Sequence, residues 1–270
     1  MKNRKPIYII ITLVFAIGFY IYDNYLVENK APKIEVSEKS NQESSTVDLT
    51  PTSTTNQLVK HKYYSLSYHE KYEQAEWVAY ELKKEQITSQ NFKRPYFIFD
   101  SKVTTKSAHY KNYSNSGYDK GHLCPAADMK FSEDAFNETF LTSNISPQNH
   151  DFNSGIWNRL EQKTRYWAQR YDKLYIITGG VLTNNLKTIG SEKVAVPNYF
   201  YKIILDNSEP EIKAIAFLIP HEESEKGLYQ FVVSIDEIER LTGIDFFPAL
   251  PNELENKLEQ SSSYSNWSLR

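Results

Sequence analysis

One stretch, SGYDKGHLCPAADM (Ser116 to Met129), restricts the fold of this chain more than any other. Two glycines, an acid, a base and a histidine fall within Gly117 to His122, in a sequence with only nine glycines and six histidines. Such a cluster weakens a helix and adds nothing to a stiff strand. It suits a tight turn that opens onto a short strand and presents His122 there.

A second segment, SNISPQNHDFNSGIWNRLE (Ser143 to Glu161), follows after a stretch, SEDAFNETFLTSN, that begins with a helix-start pattern. The clearest helix is NSGIWNRLEQKTRYWAQRY, with Ile156, Leu160, Trp167 and Tyr171 on one stripe. KLYIITGGV, YFYKIILD and IKAIAFLIP read as strands, and SIDEIERLTGIDFF as a short amphipathic helix ending in a turn. YEQAEWVAYEL fits a helix or a strand, and RPYFIFD is strand or extended chain. Helices and strands mix without regular βαβ alternation, so the expected class is α+β, and no internal repeat is present.

Together the two segments resemble the DNA/RNA non-specific endonucleases, also called ββα-metal or His-Me-finger nucleases, which include the endonuclease G type. Matching residues are Asp119, Lys120, Gly121 and His122, then Ser143 and Asn144, Pro147 and Gln148, and finally Asn153, Trp157, Leu160 and Glu161. The resemblance runs from about Tyr64 to Phe247. It implies a mixed, mostly antiparallel sheet flanked by helices, and hydrolysis of DNA and RNA without regard to sugar or sequence. It also implies a divalent cofactor, Mg2+ or an ion such as Mn2+, and products with 5′-phosphates.

By the same resemblance, His122 is the general base that takes a proton from water, and Asn153 is the direct protein ligand of the metal. Glu161 reaches that ion through a coordinated water, and Asn144 positions His122 or a metal-bound water. Arg94 stabilises the phosphate in the transition state, on a looser match, and Lys120 and Arg94 bind substrate. Asn153, Trp157 and Glu161 recur every four residues and so fall along one helix face. Lys120 stands where the family usually has arginine, which loses the bidentate grip on phosphate. Plainer roles stand beside these: Asn153 as a helix cap, Trp157 as core, Glu161 and Arg94 as surface charges, and His150 and His109 as structural or exposed. Cys124 reads as a small packed side chain.

Net charge is −3, which by itself gives no sign of a nucleic-acid partner. From Lys60 to Lys130, however, twelve Lys and Arg meet eight Asp and Glu, whereas from Ile204 to Gln260 four meet thirteen. A basic half beside an acidic half is compatible with a phosphate-binding face. A nucleic-acid-binding protein with a decayed nuclease site, or a narrower phosphodiesterase, are the rival readings. The presence of His122, Asn153 and Glu161 together argues against decay.

At the N-terminus, Lys2, Arg4 and Lys5 precede an uncharged run from Pro6 to Tyr22. Residues 1–27 are expected to be an uncleaved membrane helix, with a cleaved signal as the alternative; both send the remainder out of the cytoplasm. Residues 28–60, rich in Ser, Thr, Asn, Gln and Glu, are expected to be a disordered tether. The nuclease domain is expected over 61–260, and a C-terminal tail over 261–270.

Overall fold

The computed structural model describes residues 48–208 and 211–267. The expected membrane helix and most of the expected tether lie outside them. Among the described residues, no helix is long and apolar enough to cross a membrane.

The framework is a seven-stranded sheet in the order β1-β2-β3-β6-β9-β10-β11, with every neighbouring pair antiparallel. Its strands are β1 (Leu58–Lys60), β2 (Ser65–His69), β3 (Gln74–Lys83), β6 (Lys173–Gly180), β9 (Tyr199–Asp206), β10 (Lys213–Pro220) and β11 (Val232–Val233). Two small hairpins complete the strands: β4 (Asp119–His122) with β5 (Ile145–Gln148), and β7 (Lys187–Ile189) with β8 (Val194–Val196). The ambiguous YEQAEWVAYEL segment is strand β3, whereas RPYFIFD is extended chain with one bridge, Ile98 to Leu141.

The period-two rule for strands explains how the sheet acquires two cores. On β3, Val78, Tyr80 and Leu82 point to one face, and Trp77 and Ala79 to the other. On β9, Phe200 and Ile204 share the first face, while Tyr201, Ile203 and Leu205 take the second. The first face is covered by α3 (Asn158–Tyr171) through Leu160 and Trp167, and by Leu123 and Cys124 beyond β4. The second is covered by α4 (Ile235–Thr242) through Ile235 and Ile238, and by α5 (Asn252–Glu259) through Leu258. Two shorter helices are α1 (Glu133–Glu138), in the connection from β4 to β5, and α2 (His150–Phe152), just after β5. Ser132 caps α1 by accepting from the Ala135 amide, as the helix-start pattern predicts.

Both expected domain edges move outward. Asp48 to Lys60 packs on the sheet: the Trp77 indole donates to the Thr52 carbonyl at 2.8 Å, and Thr52 and Asp245 exchange backbone and hydroxyl bonds. Thr54 and Ser67 hydroxyls hold the carboxylate of buried Glu76, so the polar composition here satisfies a buried acid. At the other end, Trp267 is buried 4.9 Å from the Trp167 ring, within the first core.

Candidate active site

The β4–β5 hairpin shows why the glycines cluster. Gly117 has φ +80°, a left-handed conformation that brings the chain into β4. Gly121 is required for a different reason: a Cβ there would lie 2.1 Å from Oε1 of Gln148, whose fully buried side chain crosses the strand at this point. Lys120 and His122 are two residues apart and so leave β4 on the same side.

That side is organised around two phenylalanines. The His122 ring lies 5.1 Å from Phe140, edge to face, and 5.7 Å from Phe97. The Arg94 guanidinium is 5.4 Å from the centroids of both rings, and the Lys120 ammonium is 5.6 Å from Phe97. The structure therefore gathers Arg94, Lys120 and His122 about one aromatic platform, although Arg94 is far from the hairpin in sequence. Burial, and then the neighbouring Arg94 charge, push the His122 pKa down to about 3. The imidazole is neutral at physiological pH, and its Nε2 is buried without a hydrogen-bond partner. A neutral imidazole keeps one ring nitrogen able to accept a proton, and the burial that lowers its pKa also makes it a weaker base than a free imidazole.

Asn153 begins a π-helical segment, Asn153–Trp157, inserted between α2 and α3. Gly155 departs from helical geometry there, with φ −95° and ψ −108°. Such π-turns interrupt the regular 3.6-residue repeat and are frequent at functional sites. The expected single face for Asn153, Trp157 and Glu161 is accordingly broken. Trp157 is buried against Phe152 and Phe200 as core, and Asn153 turns to Asp119. The helix cap is Asn149, which accepts from the amides of Asp151 and Phe152, so Asn153 is not the cap.

Asp119 is the residue that orients Asn153, a role its place in the motif does not reveal. Its Oδ2 accepts from the Asn153 Nδ2 at 3.1 Å and lies 2.9 Å from the His150 Nδ1. With the amide nitrogen thus engaged, the Asn153 carbonyl oxygen is the end left to meet a ligand. His150 is exposed and acts through this contact.

Glu161 enters a buried polar network beneath the hairpin. Lys202 is fully buried on β9, donates to the Thr178 hydroxyl at 2.6 Å, and lies 5.1 Å from the Trp157 ring. Asp128 pairs with Arg165 at 2.7 Å and accepts from the Tyr80 hydroxyl at 2.8 Å. Burial raises the Glu161 carboxyl above its ordinary range, opposed by the Lys202 charge. Burial likewise lowers the Lys202 ammonium, opposed by Glu161. Lys202 carries a sequence signal, a lone cation in an apolar strand, whereas Asp128 is recognisable only once folded.

Asn144 does not contact His122. It is fully buried, its Oδ1 accepts from the Cys124 amide, and its Nδ2 donates to the carbonyls of Cys124 and Thr139. Through these bonds Asn144 fixes the backbone two residues beyond His122, and none of them goes to the imidazole. Cys124 is buried, and burial raises its thiol, which suits the packed role expected of it. His109 accepts from the Lys111 amide in a surface turn.

The donors present fit a hard divalent cation. Asn153 offers an amide oxygen and Glu161 a carboxylate, both oxygen ligands of the kind Mg2+ prefers. The buried, unpartnered His122 Nε2 and Gln148 amide show polar capacity on this hairpin that the protein itself does not satisfy.

The model for DNA/RNA non-specific endonucleases matches residues 43–253. The chain belongs to that family. It is 36% identical over 205 residues to a mitochondrial nuclease EXOG of Danio rerio, covering 70% of this chain and 60% of the relative. It is 31% identical over 207 residues to human mitochondrial endonuclease G, covering 71% and 70%. The chain spans about three-fifths of the length of the EXOG relatives. A crystal structure of EndoG in complex with EndoGI aligns with TM-score 0.68 and 27% identity, over 73% of this chain and 87% of that one.

Proposed function

We propose that this member of the family is a metal-dependent endonuclease that hydrolyses DNA and RNA with little regard to sequence. The observation that carries the reading is His122, a neutral imidazole with an unpaired nitrogen beside Arg94 and Lys120. A base and two phosphate-seeking cations on one platform are the parts that water attack on a phosphodiester requires.

In this reading His122 accepts the proton of the attacking water. Arg94 and Lys120 hold the phosphate, with Arg94 opposing the charge that develops on it. Asn153, aimed by Asp119, would hold a divalent cation, Mg2+ or Mn2+, directly, and Glu161 would reach that ion through a coordinated water. When bound, that ion supplies charge stabilisation to the phosphate and to the departing 3′-oxygen. Asn144 and Gly121 keep the hairpin in the register that presents His122. External water leaves the 2′-hydroxyl without a role, so DNA and RNA are both substrates and each product keeps its 5′-phosphate.

We also propose that the domain works outside the cytoplasm, tethered by its N-terminal run; secretion is the alternative. This rests on the sequence of residues 1–27 alone, and recovery of a soluble secreted form that starts after Tyr22 would replace the anchor with a cleaved signal.

Incubation of the purified chain with supercoiled plasmid and with end-labelled RNA tests the activity. The expected result is nicking with Mg2+, none with chelator, and 5′-phosphate ends. Cyclic phosphates from RNA, or inertness toward DNA, would show that water activated by His122 is not the attacking group.

A further inference from the structure

The acidic half of the sequence has a structural counterpart on the face of the sheet opposite the hairpin. There α4, α5 and the chain between them bring five carboxylates together. Ligand oxygens of Asp236, Glu239 and Glu259 lie within 4.8 Å of one another, and so do those of Asp245, Glu255 and Glu259. Glu259 belongs to both groups and is the buried member, at 7% exposure. Its Oε1 has no hydrogen-bond partner. A buried carboxylate oxygen turned into a cluster of acids, without a donor, is costly unless something positive meets it.

Among the described residues no cation pairs with these acids. Arg240 and Lys257, the basic residues of α4 and α5, are exposed. Among the described residues, the hydrogen bond that enters the cluster from outside is from the Phe246 amide to Glu239, at 3.0 Å, and within it Glu239 meets the Glu259 side chain. Burial, and then repulsion from Glu239, Glu255, Asp245 and Asp236, push the Glu259 carboxyl up to about 8.

We propose that this corner is a divalent-cation site of the calcium type, with Glu259 as its central ligand. Ca2+ takes six to eight oxygens at roughly 2.3–2.6 Å, so two ligands of one ion stand up to about 5 Å apart. The separations within each group meet that limit. An ion on Glu259 joins α5 either to α4, through Asp236 and Glu239, or to the segment at Asp245, which in turn holds Thr52 at the start of the domain. It stabilises the far face of the sheet and takes no part in phosphodiester chemistry.

Thermal unfolding of the purified full chain, in chelator and then with calcium chloride alone, tests this. At calcium a hundredfold above its Kd, the midpoint rises by about 5–10 °C. Glu259→Gln abolishes the rise, Asp236→Asn with Glu255→Gln reduces it, and Asn153→Ala keeps it, which separates this site from the catalytic one. A wild-type midpoint that calcium leaves unmoved would overturn the proposal, and so would a rise that persists in Glu259→Gln or disappears in Asn153→Ala. If calcium has no effect and Glu259→Gln is the more stable protein at pH 7, the cluster is held by a shared proton instead.

Discussion

Two histidines in this domain share a side chain and little else. His61 is almost wholly buried, with its Nε2 2.7 Å from Asp100 and its Nδ1 3.5 Å from Glu138. Asp100 also accepts from the Ser143 hydroxyl at 2.7 Å. His122 sits between two phenylalanines beside an arginine, with Nε2 unpaired. Burial alone lowers the pKa of both. At His61 the hydrogen bonds to Asp100 and Glu138 overcome it and raise the pKa, whereas at His122 Arg94 lowers it further. The difference teaches what separates a structural histidine from a reactive one: His61 has both nitrogens on carboxylates, and His122 has neither there.

The sharpest way to break this comparison is to remove each ring in turn. His122→Ala should lower turnover by about 10²–10⁴-fold, the usual contribution of a general base, with an unfolding midpoint close to wild type. Nicking near the wild-type rate would remove His122 from the chemistry. His61→Ala should do the reverse, leaving Asp100 buried without its partner and costing about 3 kcal/mol of stability, while activity per folded molecule is unchanged. Urea unfolding read alongside nicking distinguishes the two outcomes.

A smaller effect is expected at Asp119, which acts through Asn153. Asp119→Ala should raise the Mg2+ needed for half-maximal rate by about 10–100-fold, as loss of a ligand's orienting partner usually does. An unchanged metal requirement would show that the Asn153 amide needs no such restraint. The least effect belongs to Lys120, which meets phosphate as a point charge. Lys120→Ala should weaken substrate binding and reduce the slope of log affinity against log salt by about 0.9. An unchanged slope would mean that Lys120 contacts no phosphate.

How much of this was readable before folding depended on where each partner lies. His122, Lys120 and Gly121 are adjacent in sequence, and the glycines announce the turn, so the hairpin could be read directly. Arg94 was a weaker match because its relation to His122 passes through Phe97 and Phe140, which only the fold brings together. The hydrogen bonds of Asn144 were not legible, because its place in the motif says nothing of its side-chain direction, which is toward the Cys124 backbone. The Lys202, Asp128 and Arg165 network joins residues from a strand, a turn and a helix, and no local pattern links them. At the N-terminal edge, Ser and Thr read as tether because composition cannot show that their hydroxyls bind Glu76. Trp267 and Tyr264 were apolar signals in an otherwise mostly polar tail.

Proton linkage extends the comparison to stability. The raised pKa of His61 makes a contribution that is fully present below its unfolded value, near 6.5, and is lost as pH rises through the folded value. Asp100 and Glu138, whose pKa values are lowered, contribute above their unfolded values, 3.8 and 4.5, and that part is lost as pH falls through the folded ones. His122 acts oppositely to His61: between about 6.5 and 3 the unfolded chain binds a proton that the folded one does not, so its share of stability falls as pH falls.

The most direct measurement is an NMR titration of the two imidazoles from pH 8 to pH 5, with His122→Ala and His61→Ala used to assign them. The account predicts a His122 resonance that stays at its neutral position throughout, while His61 titrates with a midpoint above 6.5. A His122 midpoint well above 7 would contradict it, because the ring nitrogen assigned to take the proton from water would then already hold one at physiological pH.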